Sequence, residues 1–223
     1  VYSADNVQGI VVDDVRVWDM WCGVLAQSHD DILISRVRGR AYSKQVGLGS
    51  PPHVIYTYGL DADNRFNLNP RIVDCYGLDG VGGAAFALKF TRGGSASGLS
   101  ARNCEGLLDL IQLQDTIVSD YTAIDDAYPL ADPSAARGSV AIKTSQRVDL
   151  VNGAVRVKDG DYAVRALYVE GDNYDVRVRG IRATVNPTSS RAAQPNDVIR
   201  ISGRRTVLKD ATVVNLGASF YSG

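Results

Sequence analysis

The chain is poor in the residues from which metal and redox sites are built. Only two of its 223 residues are histidine, His29 and His53, far apart and with no cysteine beside either, so no metal-ligand cluster of the usual kind is legible. Its three cysteines, Cys22, Cys75 and Cys104, are odd in number and lack a CxxC spacing, which argues against a disulfide framework or a zinc site and for buried free thiols. There is no G-x-S-x-G, and nothing signals a Ser-His-Asp triad. No apolar run approaches a membrane span and no charged n-region with an apolar h-region opens the chain, so neither membrane insertion nor a targeting segment is read. Lysine is scarce, five against 19 arginines, and the net charge of -1 gives no case for nucleic-acid binding. The arginine bias has two readings: a planar fork that clasps carboxylates or sulfates bidentately, or pairing with nearby aspartates. Helical periodicity is poor throughout. The best helical stretch, Glu105 to Gln114, reads better as a buried strand around Asp109-Leu-Ile-Gln-Leu113.

What the chain does have is one strand phrase that returns with loops of variable length between copies. It stands at Asp31–Val37, Val148–Val157, Val176–Ala183 and Val207–Val214, with weaker forms from Ile10, Ile72, Leu99 and Ile117. The phrase alternates apolar with polar residues, is rich in Val, Ile and Thr, and ends in Gly, Asn or Asp, as short strands bounded by tight turns do. Self-similarity over tens of residues predicts a solenoid whose units bury their apolar sides against one another. Rungs are expected near Gly9, Asp31, Ile72, Leu99, Ile117, Val148, Val176 and Val207. Second apolar phrases at Val24–Ala26, Val54–Tyr58, Ala85–Phe90, Val140–Thr144, Val164–Val169 and Val198–Ser202 supply further faces of the coil.

Surplus length falls into five stretches of loop composition: Ser43 to Pro52, Asp61 to Asn69, Arg92 to Gly98, Pro129 to Gly138 and Asn186 to Asn196. A sandwich or jelly roll would also show many short strands but would not reuse one phrase with the same polar punctuation. The expectation is an all-β, right-handed parallel β-helix forming a single domain over 1–223. A solenoid needs capped ends, so the start at Val1 predicts a piece of a longer chain or a cap supplied by a partner.

The stretch Gly49-Ser-Pro-Pro-His-Val-Ile-Tyr-Thr57, between two β-helix phrases, resembles a Pro-Pro-His-apolar-apolar-Tyr segment of the pectate-lyase-like β-helix domains of bacteriophage tailspike and tail fibre proteins. The resemblance implies a homotrimer on the virion tail, acting outside the host cell beside other tail proteins. It also implies binding, and often depolymerisation, of capsular polysaccharide or lipopolysaccharide. On that resemblance, the N-terminal virion-attachment region and early coils of such spikes are expected to lie outside this sequence. In those proteins the position of His53 looks structural.

Aligning the phrases sets Cys22-Gly-Val24, Arg40-Ala41, Asp79-Gly-Val81, Glu105-Gly-Leu107 and Asp125-Asp-Ala127 at one place in successive coils. Arg40, Asp79, Glu105 and Asp125 then form a ladder, with neighbours about 5 Å and next-neighbours about 10 Å apart, near the carboxyl separations of retaining and inverting glycosidases. Hydrolysis needs one protonated carboxyl to donate to the leaving oxygen and one carboxylate as nucleophile or base, and repulsion between the two keeps the acid protonated. Asp79, Glu105 and Asp125 are therefore the candidate catalytic residues, against the alternative that they cap turns. A one-residue register error would turn any of them to the other face. A calcium-dependent lyase built on Asp79, Glu105 and Arg102 is a second enzymatic option, although no metal or other cofactor is required by the first. The acidic pairs Asp13-Asp14, Asp30-Asp31 and Asp61-x-Asp63 read as turns. Arg40, Arg102, Tyr56, Tyr58 and Trp18 are the candidate substrate-binding residues. Tyr56 and Tyr58 share one side of a strand, while Trp18 and Trp21, three apart, cannot, so one of the two is expected in the core. A non-catalytic trimeric shaft, with scattered and locally paired charges, is the reading from a different class.

Overall fold

Short phrases with one apolar side bury it only against copies of themselves, and in the computed structural model of the protein they do so in a 22-stranded sheet with parallel pairings throughout. The structure describes residues 2–3, 8–41, 52–59, 65–80, 83–126, 138–157, 165–185 and 198–215. The chain winds as a parallel β-helix in which each coil lays down three strands on three faces, here A, B and C. Face A carries Tyr2–Ser3, Cys22–Gln27, His53–Tyr58, the start of Ala84–Arg92, the start of Gly106–Asp126, Gly138–Lys143, Arg165–Glu170 and Ile199–Ile201. Face B carries Val11–Asp13, Leu33–Ser35, Arg71–Val73, Ser95–Ser97, the middle of Gly106–Asp126, the first half of Gln146–Val157, Tyr174–Arg179 and Val207–Lys209. Face C carries Arg16–Met20, Arg38–Ala41, Tyr76–Leu78, Ser100–Arg102, the ends of the same two long strands, Arg182–Val185 and Thr212–Asn215.

The interior is a set of stacked columns. On face B, Val12, Ile34, Ile72, Ala96, Val118, Leu150 and Val178 lie one above another and all are buried. On face A, Val24, Ile55, Phe86, Leu108, Val140 and Leu167 do the same. On face C the central residue is small: Gly39, Gly77, Ala101, Ala123 and Ala183 stand in register with Val17 and Val155. The reason is steric, since a Cβ on Gly77 would lie 2.6 Å from that of Ala85 and face C runs close under face A. At the C-terminal end the columns become exposed, with Leu208 at 40% and Val213 at 48%.

Sharp corners separate the faces. Between B and C one residue per coil, namely Asp14, Arg36, Asp74, Gly98, Asp120, Asn152, Gly180 and Asp210, takes positive φ, where Asp, Asn and Gly are the least strained side chains. The backbone ladder continues through these corners, as in Asp74 N–H to Ser97 O at 3.0 Å. Between A and B the corner is lined on its inside by buried polar residues that close the backbone's open valences. Asn67 Oδ1 accepts from the His29 amide at 2.9 Å, Ser145 Oγ from the Leu113 amide at 3.1 Å, and Asn173 Oδ1 from the Ser145 amide at 2.8 Å.

Seven of the eight expected rungs fall on face B. The exception is Leu99, which is a buried corner residue; the face B rung of that coil is Ser95–Ser97, inside the stretch Arg92 to Gly98 read as a loop. Polar residues flank a single inward Ala96, so that strand carries almost no apolar signal. Leu68, at the end of another expected loop, is likewise in a strand, Asn67–Leu68. Glu105 to Gln114 is strand apart from its first residue. Asp61, Asp63, Val81, Ala127 and most of the other expected loops lie outside the described residues.

Candidate functional site

The corner between faces C and A is where the carboxylate ladder was expected, and its register differs from the alignment of the phrases. Asp79, Asn103 and Asp125 all take positive φ and stack on successive coils, the Asp79 amide bonding Arg102 O and the Asn103 amide bonding Ile124 O. The residue beside Asp79 is therefore Asn103, whose Nδ2 donates to Asp79 Oδ1 at 2.7 Å. Glu105 lies two residues further on, half-buried where face A begins, and is not in the row. The Gly80 amide confirms the offset, because it points to Cys104 Sγ at 3.4 Å rather than toward Gly106. Arg40 is one residue short of the row: it stands in register with Trp18 and its Nε donates to Asp19 at 2.5 Å. Asp125 faces Arg156 at 3.4 Å. What remains as a carboxylate pair is Asp79 and Asp125, two rungs apart with an amide between them.

Face C shows two outward columns between this corner and the row of Asp14, Asp74, Asp120 and Asp210 on its other edge. One column holds Arg16, Arg38, Tyr76, Ser100, Thr122, Ala154 and Arg182. The other holds Trp18 and Arg40, then Leu78, Arg102, Ile124, Arg156 and Thr184. Trp18 is 57% exposed with Met20 beside it at 55%, while Arg16, Arg38, Arg102, Arg156 and Arg182 are all exposed. Trp21 is half-buried at the corner, so neither tryptophan is in the core, contrary to expectation. A short run of alternating residues beside a sharp corner leaves both indoles at the surface. Where faces B and C meet, Arg38, Asp74, Cys75, Tyr76, Gly98 and Ser100 line an open depression of about 270 Å³.

Face A differs in character. Tyr56 and Tyr58 share its outer side but are half-buried and stacked on each other, centroids 4.8 Å apart. Tyr58 Oη donates to Gln27 Oε1 at 2.6 Å, and Lys89 Nζ lies 5.1 Å from the Tyr56 centroid. One face of each ring is thus taken up by the other. His53 is fully buried, and its Nδ1–H donates to Ala84 O at 2.6 Å. Further along the same face Lys89 pairs with the buried Asp109 at 3.4 Å, and Lys143 with Glu170 at 3.2 Å. The hydroxyl of Tyr168, and after it Lys143, holds the Glu170 carboxyl below its ordinary range. Sequence reasoning missed Asp109 and Lys89 because each stands in an otherwise apolar run.

Among the described residues the three cysteines are free, and burial pushes the Cys22 thiol up to about 12 and that of Cys75 up to about 11. Also among the described residues, no three His, Cys, Asp or Glu side chains converge as metal ligands, and Asp79 bonds an amide instead. No protein-family model matches the chain, and no curated protein is significantly similar to it.

Proposed function

We propose that the protein is a glycan-binding β-helix whose face C holds a stretch of bacterial surface polysaccharide, capsular or lipopolysaccharide. The observation that carries this reading is the company on one flat, exposed face: an indole at 57% exposure, a tyrosine, and a series of guanidinium groups, edged on both sides by aspartates. Aromatic faces stack on the apolar face of a sugar ring, and guanidinium and carboxylate groups bond its hydroxyls and acidic substituents. A rigid ladder keeps these groups at a fixed repeat of about 4.8 Å, matching a periodic ligand with little ordering cost to the protein. In this reading the chain belongs to the receptor-binding part of a phage tailspike or tail fibre, a homotrimer acting at the host surface.

Depolymerisation by the same edge is the second reading, favoured by the spacing of Asp79 and Asp125. Two rungs put them about 9–10 Å apart, at the upper end of the separation that lets an inverting pair admit a water between acid and base. Glu105, out of the row, is left without a part in that pair. The test is a glycan array of capsular and lipopolysaccharide fragments for binding, followed by reducing-end release from each bound polymer and absorbance near 235 nm for a lyase product. Binding lost in Trp18→Ala supports the receptor surface, and release lost in both Asp79→Asn and Asp125→Asn, with binding kept, supports hydrolysis. No bound glycan on the array overturns the reading, and a rise in absorbance moves the chemistry from hydrolysis to elimination.

A further inference from the structure

One coil carries three arginines on alternate residues, Arg36, Arg38 and Arg40, and the coil before it answers them unequally. Arg36 pairs with Asp13, and Arg40 pairs with Asp19. Arg38, between them, stands directly in register with Arg16. Both guanidinium groups are exposed, and among the described residues neither has an ion-pair or hydrogen-bond partner. Like charges placed opposite each other on neighbouring strands repel. The flanking positions neutralise theirs and this one does not, so the pair is left to be neutralised from outside.

The same Arg38 lines the 270 Å³ depression with Asp74, Tyr76 and Ser100. Tyr76 and Ser100 follow Arg38 in its own column, so a ring lying along the column passes from guanidinium to phenol to hydroxyl. Asp74 flanks it on the corner, its carboxylate free of any side-chain partner among the described residues. The Asp74 carboxylate takes the room that Gly98 leaves, since a Cβ there would lie 2.3 Å from Asp74 Oδ1. A volume just below the about 300–1,000 Å³ of drug-sized pockets suits one sugar residue rather than an oligomer.

We propose that this depression is a subsite for a sugar bearing an oxyanion, with the anionic group between Arg16 and Arg38, the ring along Tyr76, and hydroxyls donating to Asp74 and Ser100. The proposal rests on the glycan-binding reading of face C and adds to it the class of sugar. Arg38 lines the depression and Arg16 stands in register with it on the neighbouring coil; a pair of guanidinium forks suits a carboxylate, sulfate or phosphate equally, so the chemistry shared by those groups is what is claimed.

The experiment measures binding of the intact chain to polygalacturonate, dextran sulfate and neutral dextran by affinity electrophoresis and titration calorimetry, alongside the glycan array. Expected is binding to at least one anionic polymer and none to dextran, with Arg16→Gln and Arg38→Gln each weakening it about tenfold and Arg38→Lys by less. Arg177→Gln, exposed on face B several rungs away, leaves it unchanged. Circular dichroism and thermal melting show each variant folded. Whether polygalacturonate or dextran sulfate is preferred names the oxyanion. The proposal is overturned if dextran binds as well as the anionic polymers, if Arg38→Gln changes nothing, or if Arg177→Gln weakens binding as much, which would mark a general charge effect. Array hits confined to neutral glycans overturn it while leaving the glycan-binding reading in place; no hit of any kind overturns both.

Discussion

Tyr121 and Gly153 make a size-complementary pair whose energetics follow from the coil register. They are directly opposed on adjacent coils, at the corner where faces B and C meet. Tyr121 is fully buried, and a Cβ built on Gly153 would fall on its ring atoms Cζ and Cε2 and its hydroxyl oxygen. The ring thus occupies the room that glycine leaves. Gly153→Ala forces the ring to move inside a packed core, an overpacking cost of about 1–3 kcal/mol. Tyr121→Leu empties part of the space at a cost of about 2–4 kcal/mol, and alanine at 153 then refills it. The two changes should therefore couple by at least about 1 kcal/mol, the double variant being more stable than the sum of the singles. Urea unfolding followed by far-ultraviolet circular dichroism measures all four corners of the cycle. Additivity within about 0.5 kcal/mol would refute the register argument for this pair.

The same tyrosine tests the buried-polar argument. Among the described residues its hydroxyl has no hydrogen-bond partner, and burial pushes its pKa well above the ordinary phenol value. A buried donor left unmade costs about 1–3 kcal/mol, so Tyr121→Phe should stabilise the protein by about 1 kcal/mol. Destabilisation by a similar amount would show that the hydroxyl is bonded, through a trapped water for instance, and the reasoning would fail.

Three further outcomes are expected. Because burial holds the Cys22 and Cys75 thiols at about 12 and 11, a disulfide reagent at pH 8 should label them far more slowly in the folded protein than in guanidinium; equal rates would contradict their burial. Tyr168→Phe should raise the Glu170 pKa, read by carboxyl NMR: the folded-state value is held low, so this group adds stability above its unfolded pKa and loses it as pH falls through the folded one, and an unmoved titration would rule the hydroxyl out as the cause. Asn173→Ala removes an acceptor for the buried Ser145 amide at 2.8 Å and a donor, in a part-buried bond, to Glu170 O at 2.7 Å, and should cost about 2–4 kcal/mol in urea, whereas a loss under about 0.5 kcal/mol would mean that water takes its place.

Faces A and B were legible for different reasons. Face B announces itself through the corner that follows it, because a three-residue strand ending in an Asp, Asn or Gly at positive φ is a spaced pattern as well as a composition. Face A announces itself through apolar length, its inward columns being large and fully buried. Face C is nearly silent. In five of its coils the inward residue is Gly39, Gly77, Ala101, Ala123 or Ala183, small beside Val17 and Val155 in the same column, and a strand whose only buried side chain is a hydrogen or a methyl group has no hydrophobic alternation to read. Ser95-Ala-Ser97 on face B fails for the same reason, which is why Leu99, the next large apolar residue, stood in for that rung.

The site was misread by two residues because residue type resembled register. Asp79-Gly80 and Glu105-Gly106 look like equivalent acid-glycine corners, yet the backbone turns at Asn103, and the amide rather than the carboxylate stacks on Asp79. Corner position is fixed by which residue accepts positive φ with the least strain, and asparagine does so more readily than glutamate. The arginine pair on face C was hidden one level deeper. That Arg36, Arg38 and Arg40 alternate outward can be read along a single strand. That the first and third meet aspartates while the second meets Arg16 depends on how one coil sits on the next, and intra-strand periodicity holds no information about that offset. An unbalanced charge pair is therefore visible only after the coils are stacked, although every residue in it stands in plain sight in the sequence.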